Sequence, residues 1–133
     1  MENILIVIEQ IANDYGVFEC VQCADAIQNF LISQGISGKR IKLDVGFRDL
    51  PWSIIYDLKR QEQIATNGIH EGIVVQVDEQ EIVFDNIEHA GIDKAEWLCN
   101  LSSPTIELER GTFEITPTIE LERGTFEITQ EEF

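Results

Sequence analysis

Basic residues are scarce in this chain. Nine Lys and Arg stand against 25 Asp and Glu over 133 residues, a net charge of −16 at neutral pH. A grip on a phosphate backbone is built from Lys and Arg, so nucleic acid is not the expected partner. An anionic membrane surface is disfavoured for the same reason. Acidity by itself speaks first for solubility. Long apolar runs are also lacking, and no stretch approaches the roughly 18 residues of a membrane span. The start, Met1-Glu2-Asn3-Ile4-Leu5-Ile6-Val7-Ile8-Glu9-Gln10, has no basic segment ahead of its apolar run, which Glu9 interrupts. No cleaved signal peptide is therefore expected. Three cysteines cannot all pair with one another. The chain is expected to be made and kept reduced in the cytoplasm, with export by a route lacking a cleaved signal left open. What is present, 44% hydrophobic and 26% charged residues, is the composition of one globular domain.

Along the chain, Ile4, Ile8, Ile11 and Ala12 recur at helical spacing and predict a short amphipathic helix from Asn3 to about Tyr15. A second helix is expected from Phe18 to Gly35, with Cys20, Ala24, Ile27 and Leu31 on one face and Gly35 as its stop. Arg40 to Val45 alternates charged with apolar residues and reads as a strand with Ile41, Leu43 and Val45 inward. Ser53 to Ala65 is read as a helix over a strand running into a charged turn, and Thr66-Asn67-Gly68 breaks the chain. Ile69–Val77 and Glu81–Ile87 form the expected hairpin. Gly91–Leu101 reads as a short helix with Asp93 at its cap. The segment from Pro104 to Thr116 is repeated letter for letter from Pro117 to Thr129. Two copies of 13 residues are too few for a solenoid and read as a duplicated terminal strand segment. One copy would add a strand through Phe113 and Ile115. The second would be an edge strand, a strand swapped into a neighbour, or an acidic flap.

Two constellations carry chemistry. The amides at a helix start lack intrahelical partners and the macrodipole is positive there, so a cysteine at that point becomes a nucleophile. Cys20 is so placed, with Glu19 beside it opposing the effect. A base and a group to orient it must come from elsewhere. With a two-residue turn at Glu79-Gln80, Val74 lies opposite Asp85, and His70, Gly72, Val74, Val83 and Asp85 share one face of the hairpin. Gly72 would leave room beside His70 for a helix start to approach. The other constellation is Cys20-Val21-Gln22-Cys23, a C-x-x-C that can be a redox pair or half a zinc site, with Cys99, His70 and His89 as further ligands. Inert, buried thiols are the alternative to both. His89 is the rival base.

The segments Glu19 to Ala24, Gly35 to Leu43, His70-Glu71-Gly72-Ile73 and Val83-Phe84-Asp85-Asn86-Ile87 together resemble the papain-fold toxin family, the papain fold toxin 2 group. The order of cysteine, histidine and polar residue is also that of NlpC-type peptidases. The resemblance spans about Val17 to Leu101. It implies an α+β papain-like fold, with a nucleophile-bearing helix packed on a small antiparallel sheet. Residues 1–103 would form this domain, and 104–133 an acidic duplicated tail. It further implies a bacterial polymorphic-toxin setting and a cysteine peptidase, amidase or protein deamidase. Cys20 would be the nucleophile, His70 the general base and acid, and Asp85 the orienter. Gln22, Cys23 and Gly72 would border the site. Papain-like enzymes place a Gln six residues before the cysteine as an oxyanion donor. Asp14 stands there in this chain, so the backbone amides of the helix start, helped by Gln22, would take that part. The implied partners are a protein or peptide substrate and an immunity protein, with no cofactor or metal. A catalytically inactive binding module of the same fold is the competing class.

Overall fold

The computed structural model describes residues 2–104 and 126–133. The chain divides into two compact units, one formed by Met1–Ile41, Glu71–Leu98 and Gln130–Phe133, the other by Lys42–His70 and Cys99–Thr129. The described residues build an α+β fold of α1 (Glu2–Ala12), α2 (Cys20–Ser33), β1 (Lys39–Asp44), β2 (Ile55–Asp57), β3 (Glu62–Ala65), β4 (Ile69–Val77), β5 (Gln80–Phe84), β6 (Ile92–Asp93), α3 (Lys94–Asn100), β7 (Leu101–Ser102) and β8 (Glu127–Glu132). Five strands form a sheet in the order β6-β5-β4-β1-β8, and three form a second in the order β3-β2-β7.

In the first unit, α1 and α2 meet the sheet through a core of Ile8, Ala12, Cys23, Ala24, Ile27, Leu31, Ile73, Val75 and Phe84. The helical periodicity of the first 34 residues supplies one side of this core and strand alternation supplies the other. Helix α2 ends in a Schellman motif. Gly35 takes φ +70, its amide bonds Ile32 O at 3.0 Å, and the Ile36 amide bonds Leu31 O at 2.9 Å. Ile36 then packs onto the core. Asp93 caps α3 as expected, its Oδ2 accepting the Ala95 amide at 3.0 Å. The hairpin also forms, but its turn lies at Asp78-Glu79, with Val77 paired to Gln80 and Val74 to Val83. Asp78 takes the positive φ, +57, that a tight hairpin turn requires. The register therefore moves by two residues from the expected one. An even shift leaves every side chain on its assigned face.

The expected helix over Ser53–Ala65 is not formed. β2 and β3 make an antiparallel pair there, with Ile55 opposite Ala65 and Asp57 opposite Glu62. β2 is held on its other side by β7, with Tyr56 opposite Ser102. Buried Asp57 organises the intervening turn. Its Oδ1 accepts the Arg60 amide at 2.9 Å and Asn100 Nδ2 at 2.9 Å, and its Oδ2 meets Arg60 Nη1 at 3.2 Å. Asn100 lies 43 positions onward, so no local periodicity announces it. Of the duplicated tail, the expected strand through Phe113 and Ile115 lies outside the described residues. The last residues of the second copy enter β8 at the edge beside β1.

One ion cluster ties α2 to the sheet. Arg40 Nε meets Glu71 Oε1 at 2.8 Å, and its Nη1 meets Asp25 Oδ1 at 2.6 Å and Gln28 Oε1 at 3.2 Å. These carboxylates hold the guanidinium above its usual pKa, against the opposing effect of burial. Charge-assisted bonds at half-buried groups are worth more than surface pairs. Replacing Arg40 by Met should lower unfolding free energy by about 1.5–3 kcal/mol, measured by urea denaturation. A loss under about 0.5 kcal/mol, the range of ordinary surface substitutions, would show that the cluster contributes nothing.

Candidate active site

Cys20 is the first residue of α2, with Glu19 at the N-cap. Glu19 makes no side-chain capping bond. Its Oε1 instead turns back to accept the Gly16 amide at 2.8 Å, and its own amide bonds Gly16 O at 3.2 Å. The positive end of the helix is thus left without a capping carboxylate beside the thiol. Cys20 is 7% exposed, and Gln22, two positions on, is exposed.

Cys23 lies one turn on, fully buried in the core. Burial first, and then the charges of Asp85, Cys20 and Glu19, push its thiol from 9.0 to about 12. Such a thiol stays protonated and serves poorly in disulfide exchange, which needs thiolate. None of the three cysteines is in a disulfide. Among the described residues no three His, Cys, Asp or Glu gather to hold a metal ion. Neither the redox nor the zinc reading of C-x-x-C gains support from this arrangement.

Asp85 follows the last residue of β5 and is 2% exposed. Its Oδ2 accepts Trp97 Nε1 at 2.7 Å. Its Oδ1 accepts the amides of Ile87, at 2.8 Å, and of Glu88. Next to it, buried Asn86 donates from Nδ2 to Gly16 O at 2.8 Å. That bond spans 70 positions of sequence and brings the loop before Cys20 to the segment carrying Asp85. The influence of Asp85 on the Cys23 thiol reports the same proximity.

His70 is the second residue of β4 and fully buried. Two residues along the same strand face is Gly72, next in register to Asp85 beyond the Ile73–Phe84 pair. Two expectations need correction here. The body of α2 packs on the opposite face of the hairpin, against Ile73, Val75 and Phe84. The space at Gly72 is taken by Val83 Cγ1 and Trp97 Cζ2, which a Cβ would meet at 2.9 and 3.4 Å, rather than by a helix start. His89, the rival base, is occupied by its own loop, with Nε2 bonded to Asn86 O at 2.7 Å. A cavity of about 270 Å³ beside Gly38, Lys39, Gln76, Glu81 and Phe133 contains none of these residues.

Sequence reasoning missed Trp97 and Asn86. The available signal was the chemistry of burial. A buried indole N–H needs an acceptor and a buried carboxylate needs donors, so Trp97 in a short helix after Asp85 was a natural partner.

A thiol-bearing helix start on an antiparallel sheet, in an α+β chain, defines the papain-like class. The family described as papain fold toxin 2 matches residues 3–102. The chain belongs to that family. No curated protein and no solved structure matches it.

Two outcomes follow. Cys23 is more easily kept protonated in the folded state than in the unfolded one. Its contribution to stability is intact below about pH 9 and lost as pH rises towards about 12. Unfolding free energies should therefore fall more steeply across this alkaline range in the native sequence than in Cys23→Ala, and parallel slopes would contradict the burial effect. Trp97→Phe leaves the Asp85 carboxylate short of one donor and should cost about 1–3 kcal/mol, read by chemical denaturation.

Proposed function

We propose that the protein is a toxin-type cysteine hydrolase acting on an amide, with Cys20 as nucleophile, His70 as general base and acid, and Asp85 as the group that orients the imidazole. The observation that carries this reading is the Asn86–Gly16 bond, which fastens the loop leading into Cys20 to the Asp85 segment. Membership of the papain-fold toxin family supports it. So does the Cys–His–Asp order along the chain, with His70 buried on β4.

Each step balances. His70 takes the thiol proton, and the sulfur attacks the amide carbonyl carbon. The oxygen that becomes negative is held by amides of the first turn of α2, which no Glu19 side chain occupies. The imidazolium gives its proton to the leaving nitrogen, the C–N bond breaks, and a thioester remains. Water, deprotonated by His70, attacks the thioester, releasing a carboxylic acid and restoring the thiol. A peptide bond would yield a new amino terminus, and a glutamine side chain would yield ammonia and glutamate. Asp85, pinned by Trp97 and two backbone amides, is fixed in position to orient a ring. Gln22 is exposed in the first turn of α2, two positions after Cys20. Cys23 serves as core beneath. A toxin made in its own producer requires a partner that blocks the site, and we assign that part to an immunity protein.

Thiol alkylation tests the assignment. In Cys99→Ser protein, which removes the exposed cysteine, iodoacetamide at pH 6 should modify Cys20. An unactivated thiol is under about 1% thiolate at that pH, so a rate on the order of 100-fold above such a thiol is expected. His70→Ala should return the rate to the ordinary one. Unchanged reactivity in His70→Ala, or no modification of Cys20, would refute the proposal.

A further inference from the structure

We propose that Phe18, together with Val17 and Val21, is the specificity-determining contact of this site, and that it selects a polypeptide presenting a bulky apolar side chain beside the attacked amide within a basic segment. The proposal rests on the cysteine-hydrolase reading above.

Phe18 is 57% exposed, and Val17 and Val21 are 38% and 41% exposed. Scattered apolar residues on a surface need no explanation. Here three fall within five consecutive positions, and Cys20 is among those positions. Phe18 also has φ +73, a left-handed conformation disfavoured for a bulky L-residue. Strain of this kind persists only where the surroundings over-determine it. The surroundings do so. Gly16 is held three ways, with its amide on Glu19 Oε1 and its carbonyl accepting both the Glu19 amide and Asn86 Nδ2. The Gly16–Glu19 turn is thereby closed, and Phe18 is carried at its tip into solvent. More than half of Phe18 stays in solvent, and the backbone is strained to hold it there. A glycine would satisfy the same φ without strain. A rigid aromatic held two residues before a nucleophile gains its value from what approaches that nucleophile.

The charge of the approaching chain is also written here. From Met1 to Gly38, through both helices and the loop between them, the chain carries Glu2, Glu9, Asp14, Glu19 and Asp25 and no Lys, Arg or His. The first cation is Lys39. Arg40 compensates Asp25. Asp14 and Glu19 flank the Phe18 turn on the solvent side. An acidic segment around an apolar contact complements basic residues next to an apolar one, and repels acidic sequences.

Peptidyl vinyl sulfones test this. Cys20 sulfur adds to the terminal vinyl carbon and the neighbouring carbon takes a proton, with no leaving group. Four tripeptide probes carry Leu or Gly next to the electrophile, each with flanking Arg or flanking Glu. In Cys99→Ser protein the Leu probe should react about 10-fold faster than the Gly probe, the discrimination that one hydrophobic contact supports. Phe18→Gly keeps the backbone at positive φ and removes only the ring. In that variant the Leu/Gly ratio should fall to about 3-fold or less, and Phe18→Leu should keep it near the native value. Arg-flanked probes should outpace Glu-flanked ones at low salt, with the gap closing in 0.5 M NaCl. A native Leu/Gly ratio near one, a ratio that survives Phe18→Gly, or faster reaction of Glu-flanked probes would overturn the proposal. If iodoacetamide also fails to modify Cys20, the hydrolase reading falls with it. If iodoacetamide reacts and only the peptide selectivity is missing, this inference alone fails.

Discussion

A carboxylate removed from water must be given donors, and in this protein the donors given to Asp85 organise much of its surroundings. Among those donors are an indole N–H from α3 and two amides of the turn that follows β5. Supplying the indole requires α3 to lie against the sheet, where Trp97 packs beside Gly72. Supplying the amides shapes the turn so that Asn86 points at Gly16. The loop before Cys20 inherits its position from that bond. A buried acid that lost these bonds would carry a desolvation cost of several kcal/mol, so the arrangement is enforced rather than merely permitted. Loop, glycine, indole and amide form one connected solution.

The parts legible in sequence were those whose cause is local. The 3.6-residue recurrence of Ile4, Ile8, Ala12 and of Cys20, Ala24, Ile27, Leu31 belongs to each helix alone. Gly35 stops α2 and Asp93 starts α3 through atoms within five residues of each. The β4–β5 hairpin was legible because its pairing is sequential. Its turn was displaced by one residue because Asp78 accepts a left-handed backbone more readily than the neighbouring choice implied. The error was harmless, because a two-residue shift preserves sidedness.

What stayed hidden depends on residues far along the chain. Ser53–Ala65 has a plausible helical side in Ile54, Ile55 and Leu58, but Asp57 finds Asn100 and β2 finds β7, and tertiary pairing outweighs local propensity. The face of the hairpin that α2 covers is likewise a question of where the apolar area is. Ile73, Val75 and Phe84 offer more than Gly72 and its neighbours, so the helix goes there. Cys20 and Asp85 were singled out from residue chemistry. The clamp that joins their segments, Asn86 to Gly16, was invisible because an asparagine after a strand reads first as a turn former.

The missing side-chain cap of α2 also has a consequence for substitution at position 19. Ser or Asp at position 19 would satisfy an orphan amide of the first turn and add about 1 kcal/mol to stability. The same side chain would compete for the amides assigned to the developing oxyanion, and Asp would place a negative charge beside it. On the hydrolase reading proposed above, a better cap at position 19 would stabilise α2 at the expense of those amides, whereas Glu19, its carboxylate folded back on Gly16, leaves the first turn uncapped.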